Sequence, residues 1–236
     1  CVAEPAYAAS SWNIQIVDEN GETAQGHGSI LVDSNNIPHI AYLRLGQTII
    51  QFVTYASWNG SGWSTQTIDA GVIFSFVLDA DNSPHVLYAG YDTGLIYASW
   101  TGTNWTKQTI DPNGAGFGTL ALDSFGNPHV AYTDGTTIKY ATWAGTNWTR
   151  QTVDTYGPGG IPYQLSLALD KNNTPYILYD FTRSILAPGG GYAHSENLKV
   201  ATLRNSSWDI QDVAWMDIDN PSTELEDYGY AGGADN

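Results

Sequence analysis

The sequence repeats a pattern of about 45 residues four times, and this repeat constrains the fold more than any other feature. In each copy an Asp precedes a Pro by five residues, and a Tyr follows that Pro by four. The Asp residues are Asp33, Asp79, Asp123 and Asp170, and the Pro residues are Pro38, Pro84, Pro128 and Pro175. Successive Asp positions lie 46, 44 and 47 residues apart. Such regular spacing indicates one structural unit built four times.

The second half of each repeat is rich in aromatic residues. Tyr-Ala-Ser-Trp at 55–58 recurs at 97–100 and, with Thr for Ser, at 140–143. A Trp-x-x-Gln-x-Ile/Val-Asp motif follows at 63–69, 105–111 and 148–154, and 208–213 repeats it without the Asp. A fifth copy at 12–18 precedes the first repeat. The chain therefore has one more copy of this motif than of the rest of the repeat.

Each repeat predicts four short antiparallel strands. The apolar run at 120–122 suits a strand buried on both faces, and the Asp-to-Pro segment suits a turn whose carboxylate accepts backbone N–H groups. The Trp motif alternates with the period of two that is typical of an outer strand. Four such strands in about 45 residues predict one propeller blade. The sequence thus predicts an all-β fold, a four-bladed β-propeller of four-stranded antiparallel blades with one surplus terminal strand.

The repeat also predicts how the chain is divided. We expect an N-terminal extension at 1–11, a β-propeller at 12–213 and an acidic C-terminal tail at 214–236. Within the propeller the repeat units are about 19–69, 70–111, 112–154 and 155–213, and the orphan strand is 12–18. The tail carries six acids and no base, so we expect it to be a place where a partner is met.

These Asp, Pro and Trp motifs resemble the repeats of secreted bacterial and archaeal β-propellers in the broad sialidase-like group. The resemblance covers about residues 12–213. It departs from that group's Asp-box, Ser-x-Asp-x-Gly-x-Thr-Trp, because Asp-x-x-x-x-Pro stands in its place. The resemblance implies a propeller architecture and an extracellular setting, and it transfers no catalytic residue to this chain.

Charge and hydropathy exclude two classes of partner. The net charge is −16, and the eight Lys and Arg residues are scattered singly, which argues against nucleic acid. No run of 18 apolar residues is present, so we expect no membrane span. Cys1 fits either a lipid anchor left by lipoprotein processing or an incidental thiol.

Five Asn residues lie in N-glycosylation motifs. They are Asn59, Asn104, Asn147, Asn172 and Asn205. All except Asn172 fall in the same turn of the repeat, just before a Trp, where a glycan would not disturb a core. They support an extracellular or cell-surface glycoprotein.

The repeat also brings polar residues into equivalent positions. His39, His85 and His129 share one repeat position, where a metal-binding ring is the alternative to packing at a strand start. Asp79, Asp81 and Asn82 could offer oxygen ligands to calcium, but the other turns lack the middle Asp, which favours an ordinary Asx-type turn. No pair of acids has a spacing suited to glycoside hydrolysis. We therefore predict a non-enzyme without catalytic residues, cofactor or metal.

The surplus strand suggests the function. An unpaired strand must be covered or shared with another chain, and we expect strand exchange between subunits; a fifth strand within its own blade is the alternative. The candidate assembly residues are Trp12, Ile14, Ile16, Trp208 and Ile210. The sequence leaves open which terminus is exchanged, and whether four blades close alone or pair with another chain.

We interpret the chain as an extracellular structural subunit that self-assembles into a cell-surface filament or surface layer. Its partners are then copies of itself in a homopolymer, with glycans as further ligands. A carbohydrate-binding adhesin or lectin is the alternative function, and a glycosidase is the third.

Overall fold

The computed structural model describes residues 13–19, 28–46, 49–114, 116–156, 164–186 and 192–217, with the backbone alone for 181–196 and 215–217. The expectations for Cys1 and Trp12, and those for the tail beyond Asp217, lie outside the described residues. Within the described ranges, no helix is long and apolar enough to cross a membrane.

Strands make up most of the described chain. Their bounds are β1 Gly28–Val32, β2 Pro38–Leu45, β3 Gln51–Trp58, β4 Trp63–Leu78, β5 Pro84–Gly90, β6 Gly94–Trp100, β7 Trp105–Asp111, β8 Gly118–Leu122, β9 Pro128–Thr133, β10 Thr137–Trp143, β11 Trp148–Thr155, β12 Leu165–Leu169, β13 Pro175–Leu186, β14 Tyr192–Arg204 and β15 Ser207–Asp217. Every neighbouring pair is antiparallel.

The strands form four blades of four strands each. Blade 3 is β8–β11 and blade 4 is β12–β15, each a separate sheet. Blades 1 and 2 share the 16-residue β4, which pairs with β3 up to Ala70 and with β5 from Gly71 onward. Blade 1 is therefore β1–β3 with the first half of β4, and blade 2 is the second half with β5–β7. The predicted all-β propeller of four-stranded antiparallel blades is confirmed.

The turn between the first two strands of each blade explains the Asp of the repeat. Asp33 Oδ1 accepts the backbone N–H groups of Asn35 and Ile37 at 2.8 and 2.7 Å. Asp79, Asp123 and Asp170 make the same pair of bonds in their own turns. The fourth turn residue has positive φ in every blade and is Asn36, Asn82, Gly126 or Asn173. Asn and Gly are the residues that tolerate this conformation best. The Pro that follows begins the second strand.

A β-bulge interrupts the outer strand of each blade. In blade 1, Thr67 pairs with Thr54 and Asp69 with Val53, so Ile68 is the extra residue. Ile110, Val153 and Val213 occupy the same place in the other blades. Because of the bulge, two consecutive side chains, Ile68 and Asp69, both reach the next blade.

The hydrophobic core is divided among the interfaces between successive blades. Three buried clusters join blade 1 to 2, blade 2 to 3 and blade 3 to 4. Tyr88, Tyr132 and Tyr179 are the largest fully buried side chains, one at each interface. Each blade is therefore stabilised by its two neighbours rather than by a common centre.

The N-terminal motif copy differs from the expectation. Residues 13–19 form no strand, so the described part of the predicted orphan strand is not a fifth strand of a blade in this structure, and exchange between subunits stays a prediction. It lies against blade 1 instead, where Gln15 and Asp18 accept side-chain hydrogen bonds. The outer-strand position that the motif matches is filled in blade 4, because β15 already pairs with β14.

Candidate functional site

Each interface between blades is closed by two side chains of an outer strand. In the first interface, Gln66 Oε1 accepts the indole N–H of Trp105 at 3.0 Å, and Asp69 Oδ2 accepts the Tyr88 hydroxyl at 2.8 Å. The second interface repeats this with Gln108–Trp148 at 3.0 Å and Asp111–Tyr132 at 2.8 Å, and the third with Gln151–Trp208 at 3.2 Å and Asp154–Tyr179 at 2.7 Å. The Gln and Asp of the Trp motif therefore bind the next blade.

The Trp that begins the outer strand also packs across the interface. Trp105 meets Tyr55 of blade 1 edge-on, with ring centroids 5.5 Å apart, and Trp148 and Trp208 contact Tyr97 and Tyr140 in the same way. Aromatic edge contacts of this kind stabilise beyond the area that they bury.

Cations neutralise the interface carboxylates. Lys107 lies 2.8 Å from Asp69, and Lys199 lies 3.1 Å from Asp154. Asp111 has both Arg150 at 3.1 Å and Lys139 at 3.4 Å. Burial raises the pKa of Asp111, but hydrogen bonds from the Asn113 N–H and the Tyr132 hydroxyl, together with the two cations, outweigh it and hold the pKa below its usual value. The carboxylate is therefore ionised at neutral pH.

The interface carboxylates were not among the residues that we singled out in the sequence. The signal was present, because an Asp ends every copy of the Trp motif except the one in blade 4, which has Ala214 there. Each of these carboxylates accepts a hydrogen bond from the Tyr of the following repeat. This contact is seen only in the structure, where successive blades lie side by side.

The N-terminal segment 13–18 makes the same contacts on blade 1 that an outer strand makes on the next blade. Gln15 Oε1 accepts the Trp63 indole N–H at 3.2 Å, and Asp18 Oδ2 accepts the Tyr42 hydroxyl at 2.9 Å. The segment thus occupies the position of the outer strand of a blade preceding blade 1. Between it and blade 1 lies an open groove of about 610 Å³, lined in part by Trp58 and Trp63.

The two ends of the row of blades expose positions that the inner blades bury. Ile30 in blade 1 is 62% exposed, whereas its counterparts Phe76, Leu120 and Leu167 are 4–9% exposed. Val213 in blade 4 is 56% exposed, whereas Ile68, Ile110 and Val153 are 3–6% exposed. Blades 1 and 4 therefore do not cover each other. We call the exposed surface of blade 1 around Ile30 and Tyr42 the first end face, and that of blade 4 around Val213 and Gln211 the last end face.

The three aligned histidines are bound within their own blades. His85 Nδ1 bonds the Tyr97 hydroxyl, and its Nε2 lies 3.1 Å from Asp79 Oδ2. His39 with Tyr55 and Asp33, and His129 with Tyr140 and Asp123, repeat this arrangement, with Nε2 to carboxylate distances of 3.4 and 3.6 Å. No group of three or more candidate ligands occurs among the residues that the structure describes. The geometry favours packing and hydrogen bonding over the metal-binding alternative.

The His129 group, with Asp123 and Tyr140, predicts that acid destabilises the fold. Burial lowers the pKa of His129 in the folded protein, even though Asp123 is close. In the unfolded chain the imidazole has its ordinary pKa of about 6.5 and takes up a proton more readily. Stability therefore falls as the pH drops below about 6.5, and the loss levels off below the pKa of the folded state. Thermal unfolding midpoints measured from pH 8 to 5 should decrease, and His129→Gln should flatten this part of the curve. Equal curves for both proteins would contradict the assignment to His129.

The five glycosylation candidates all lie on exposed turns. Asn59, Asn104, Asn147 and Asn205 lie in the turn between the third and fourth strands of successive blades, and Asn172 lies in the Asp-to-Pro turn of blade 4. An attached glycan would point into solvent at each of them.

Comparison with known proteins gives structural likeness only. No family model matches the sequence, and no curated protein matches it. A fucose lectin from Kordia zhangzhouensis in complex with methyl-fucoside is 20% identical over 55% of this chain and 99% of its own, with a TM-score of 0.39. A mutant of Aleuria aurantia lectin in complex with Fucα1-6GlcNAc is 14% identical over 82% of this chain and 79% of its own, with a TM-score of 0.47. A mutant of AofleA from Arthrobotrys oligospora is 13% identical over 88% and 79%, also at 0.47.

Proposed function

We propose that this protein is an extracellular structural subunit that assembles with further copies of itself through the two ends of its row of blades. The observation that carries the proposal is the exposure of apolar residues at the first and last end faces. Ile30 and Val213 occupy positions at which the inner blades exclude water. An apolar side chain that is exposed where its counterparts are buried between blades is one that a further blade would cover.

A second copy fits these surfaces because the chain already builds the matching interface three times. At each inner interface, the face of one blade that carries the bulged Ile or Val packs against the first strand of the next blade. The last end face is the first half of such an interface, and the first end face is the second half. Contact between them is heterologous, and it gives a closed ring or an open filament according to the rotation per subunit.

The extracellular setting belongs to the same proposal. Exposed glycosylation motifs recur in equivalent turns, and a structural subunit needs no catalytic group. A cell-surface filament or surface layer is the assembly that we propose.

Replacing Val213 with Asp tests the proposal. In the single chain Val213 is exposed, so the fold should be unaffected, but in the assembly the carboxylate would be buried without a partner. We expect association to weaken by about 100-fold or more, measured as mass against concentration in sedimentation experiments. Ala144→Asp, which adds the same charge on an exposed turn, should associate like the unaltered protein. An unaltered protein that remains monomeric at every concentration would refute the proposal.

Carbohydrate binding is the second candidate function. The groove beside blade 1 combines the partly exposed rings of Trp58 and Trp63 with the polar side chains of Gln15 and Asp18. Aromatic rings offer an apolar face for a sugar, and amide and carboxylate groups accept bonds from its hydroxyls. The Kordia zhangzhouensis and Aleuria aurantia lectins named above are complexes with fucose-containing ligands, so fucosides are included among the probes.

Glycan-array binding by a Val213→Asp monomer tests this second function. If the groove binds a sugar, Trp58→Ala should reduce binding at least tenfold because one aromatic wall is lost. Phe125→Ala removes a more exposed aromatic ring from a distant turn and should leave binding unchanged. Absence of binding by the monomer, or equal loss in both variants, would exclude the groove.

A further inference from the structure

We infer that β15 of one copy takes the place of segment 13–18 on blade 1 of the next copy, and that this segment is released when the copies join. The inference rests on the proposed self-assembly and names how the two end faces fit together. It concerns one position beside blade 1 for which two elements compete.

The competing elements carry the same motif. Gln15, Val17 and Asp18 correspond to Gln211, Val213 and Ala214 of β15. In the inner interfaces this position is filled by the outer strand of the preceding blade, which binds the Trp and the Tyr of the following one. If blade 4 of one copy precedes blade 1 of the next, its outer strand is β15. The position holds a single strand, so segment 13–18 and β15 cannot both occupy it.

The segment is held much more weakly than β15. β15 pairs with β14 from Ser207 to Asp217, and its Trp208 and Ile210 pack against the core between blades 3 and 4. Segment 13–18 forms no strand, and Ile14 and Ile16 are 90% and 71% exposed. Removing β15 from blade 4 would break a long ladder of backbone hydrogen bonds, whereas segment 13–18 has no such ladder among the described residues. We therefore expect segment 13–18, and not β15, to be displaced when two copies associate.

When β15 replaces segment 13–18 beside blade 1, one hydrogen bond is lost from the interface between the copies. β15 supplies Gln211 for the Trp63 indole, and Val213 becomes buried as Val153 is at the third interface. Ala214, however, offers no acceptor to the Tyr42 hydroxyl, which Asp18 serves in the single chain. The joint between copies thus resembles an inner interface that lacks its carboxylate. A weaker joint of this kind is suited to reversible assembly.

Two variants test the inference, one in β15 and the other in segment 13–18. Ala214→Asp restores the missing acceptor for Tyr42 and should tighten association about tenfold, with Ala144→Asp as the control of equal charge. The double variant Gln15→Ala/Asp18→Ala weakens the competing segment and should also tighten association several-fold. Dissociation constants from sedimentation or mass photometry give both effects.

The outcomes separate this inference from the proposed function. If the double variant associates more weakly while Val213→Asp still prevents association, the segment itself is the strand that joins the copies, and the inference is wrong although self-assembly stands. If Ala214→Asp associates no better than Ala144→Asp, β15 does not face Tyr42, and the inference is again wrong. If the unaltered protein and all variants remain monomeric, the proposed function fails and the inference with it.

Discussion

Replacing Asp111 with Ala is expected to lower the free energy of unfolding by about 2–4 kcal/mol. The Asp111 side chain is 4% exposed, and it accepts bonds from the fully buried Tyr132 hydroxyl and from the Asn113 N–H. Arg150 and Lys139 also lie against it. Lys139 keeps Asp134 at 2.8 Å and Arg150 reaches solvent, so the main penalty is the Tyr132 hydroxyl left without an acceptor inside the core.

Chemical denaturation of matched variants measures this effect. Asp69 has the same role at the first interface, but its side chain is 39% exposed and its partner Lys107 is 41% exposed. Water can therefore replace part of the hydrogen bonding that Asp69→Ala removes. We expect this variant to lower the free energy of unfolding by about 1–2 kcal/mol. Equal losses for the two variants, or a loss below about 1 kcal/mol for Asp111→Ala, would show that burial of the carboxylate is not what stabilises the interface.

The blades could be predicted from the sequence because each repeat contains its own local signals. The Asp33 turn needs a carboxylate at its first position and a residue that tolerates positive φ at its fourth, and both are visible in the sequence. Strands follow from the alternation between these turns. Local turn chemistry and periodicity, repeated four times, were therefore sufficient for the architecture.

Contacts between blades could not be predicted in the same way. Periodicity shows that Asp69 and Tyr88 recur, but it does not show that the Asp of one repeat meets the Tyr of the next. That meeting depends on the bulge at Ile68, which turns two consecutive side chains toward the same neighbour. The sequence also could not predict that blades 1 and 4 leave their end faces exposed, because the angle between blades is set by side-chain packing at their interfaces.

The N-terminal segment shows a different limit of sequence reasoning. Its motif matches an outer strand, and we predicted a strand on that basis. In blade 4 the outer-strand position beside β14, which this motif would fill, is taken by β15. The side-chain contacts of Gln15 and Asp18 are retained without the ladder. The motif thus specified the partners of the segment but not its backbone conformation.

The close approach of two backbone segments in blade 2 makes Gly94 a further sensitive position. Gly94 begins β6 with φ +78°, and a Cβ there would lie 2.3 Å from the Asp111 carbonyl oxygen and 2.6 Å from the Pro112 backbone. The third repeat has Thr137 at the equivalent position, so the sequence pattern does not mark this glycine. Only glycine fits at this position because the backbone of Asp111 and Pro112, at the end of β7, lies against it.

Gly94→Ala is therefore expected to destabilise the protein much more than Gly102→Ala. Gly102 has a similar φ of +92°, but nothing lies within 4 Å of its Cβ position, so its replacement costs only the left-handed backbone strain of about 1–2 kcal/mol. Gly94→Ala adds a clash with backbone atoms that cannot rotate away, worth a further 1–3 kcal/mol or so. Urea denaturation of the two variants gives the difference directly. Because the strain is common to both, a difference near zero would mean that the segment after β7 can move away from β6, and the bulged end of β7 would then be a mobile part of the interface between blades 2 and 3.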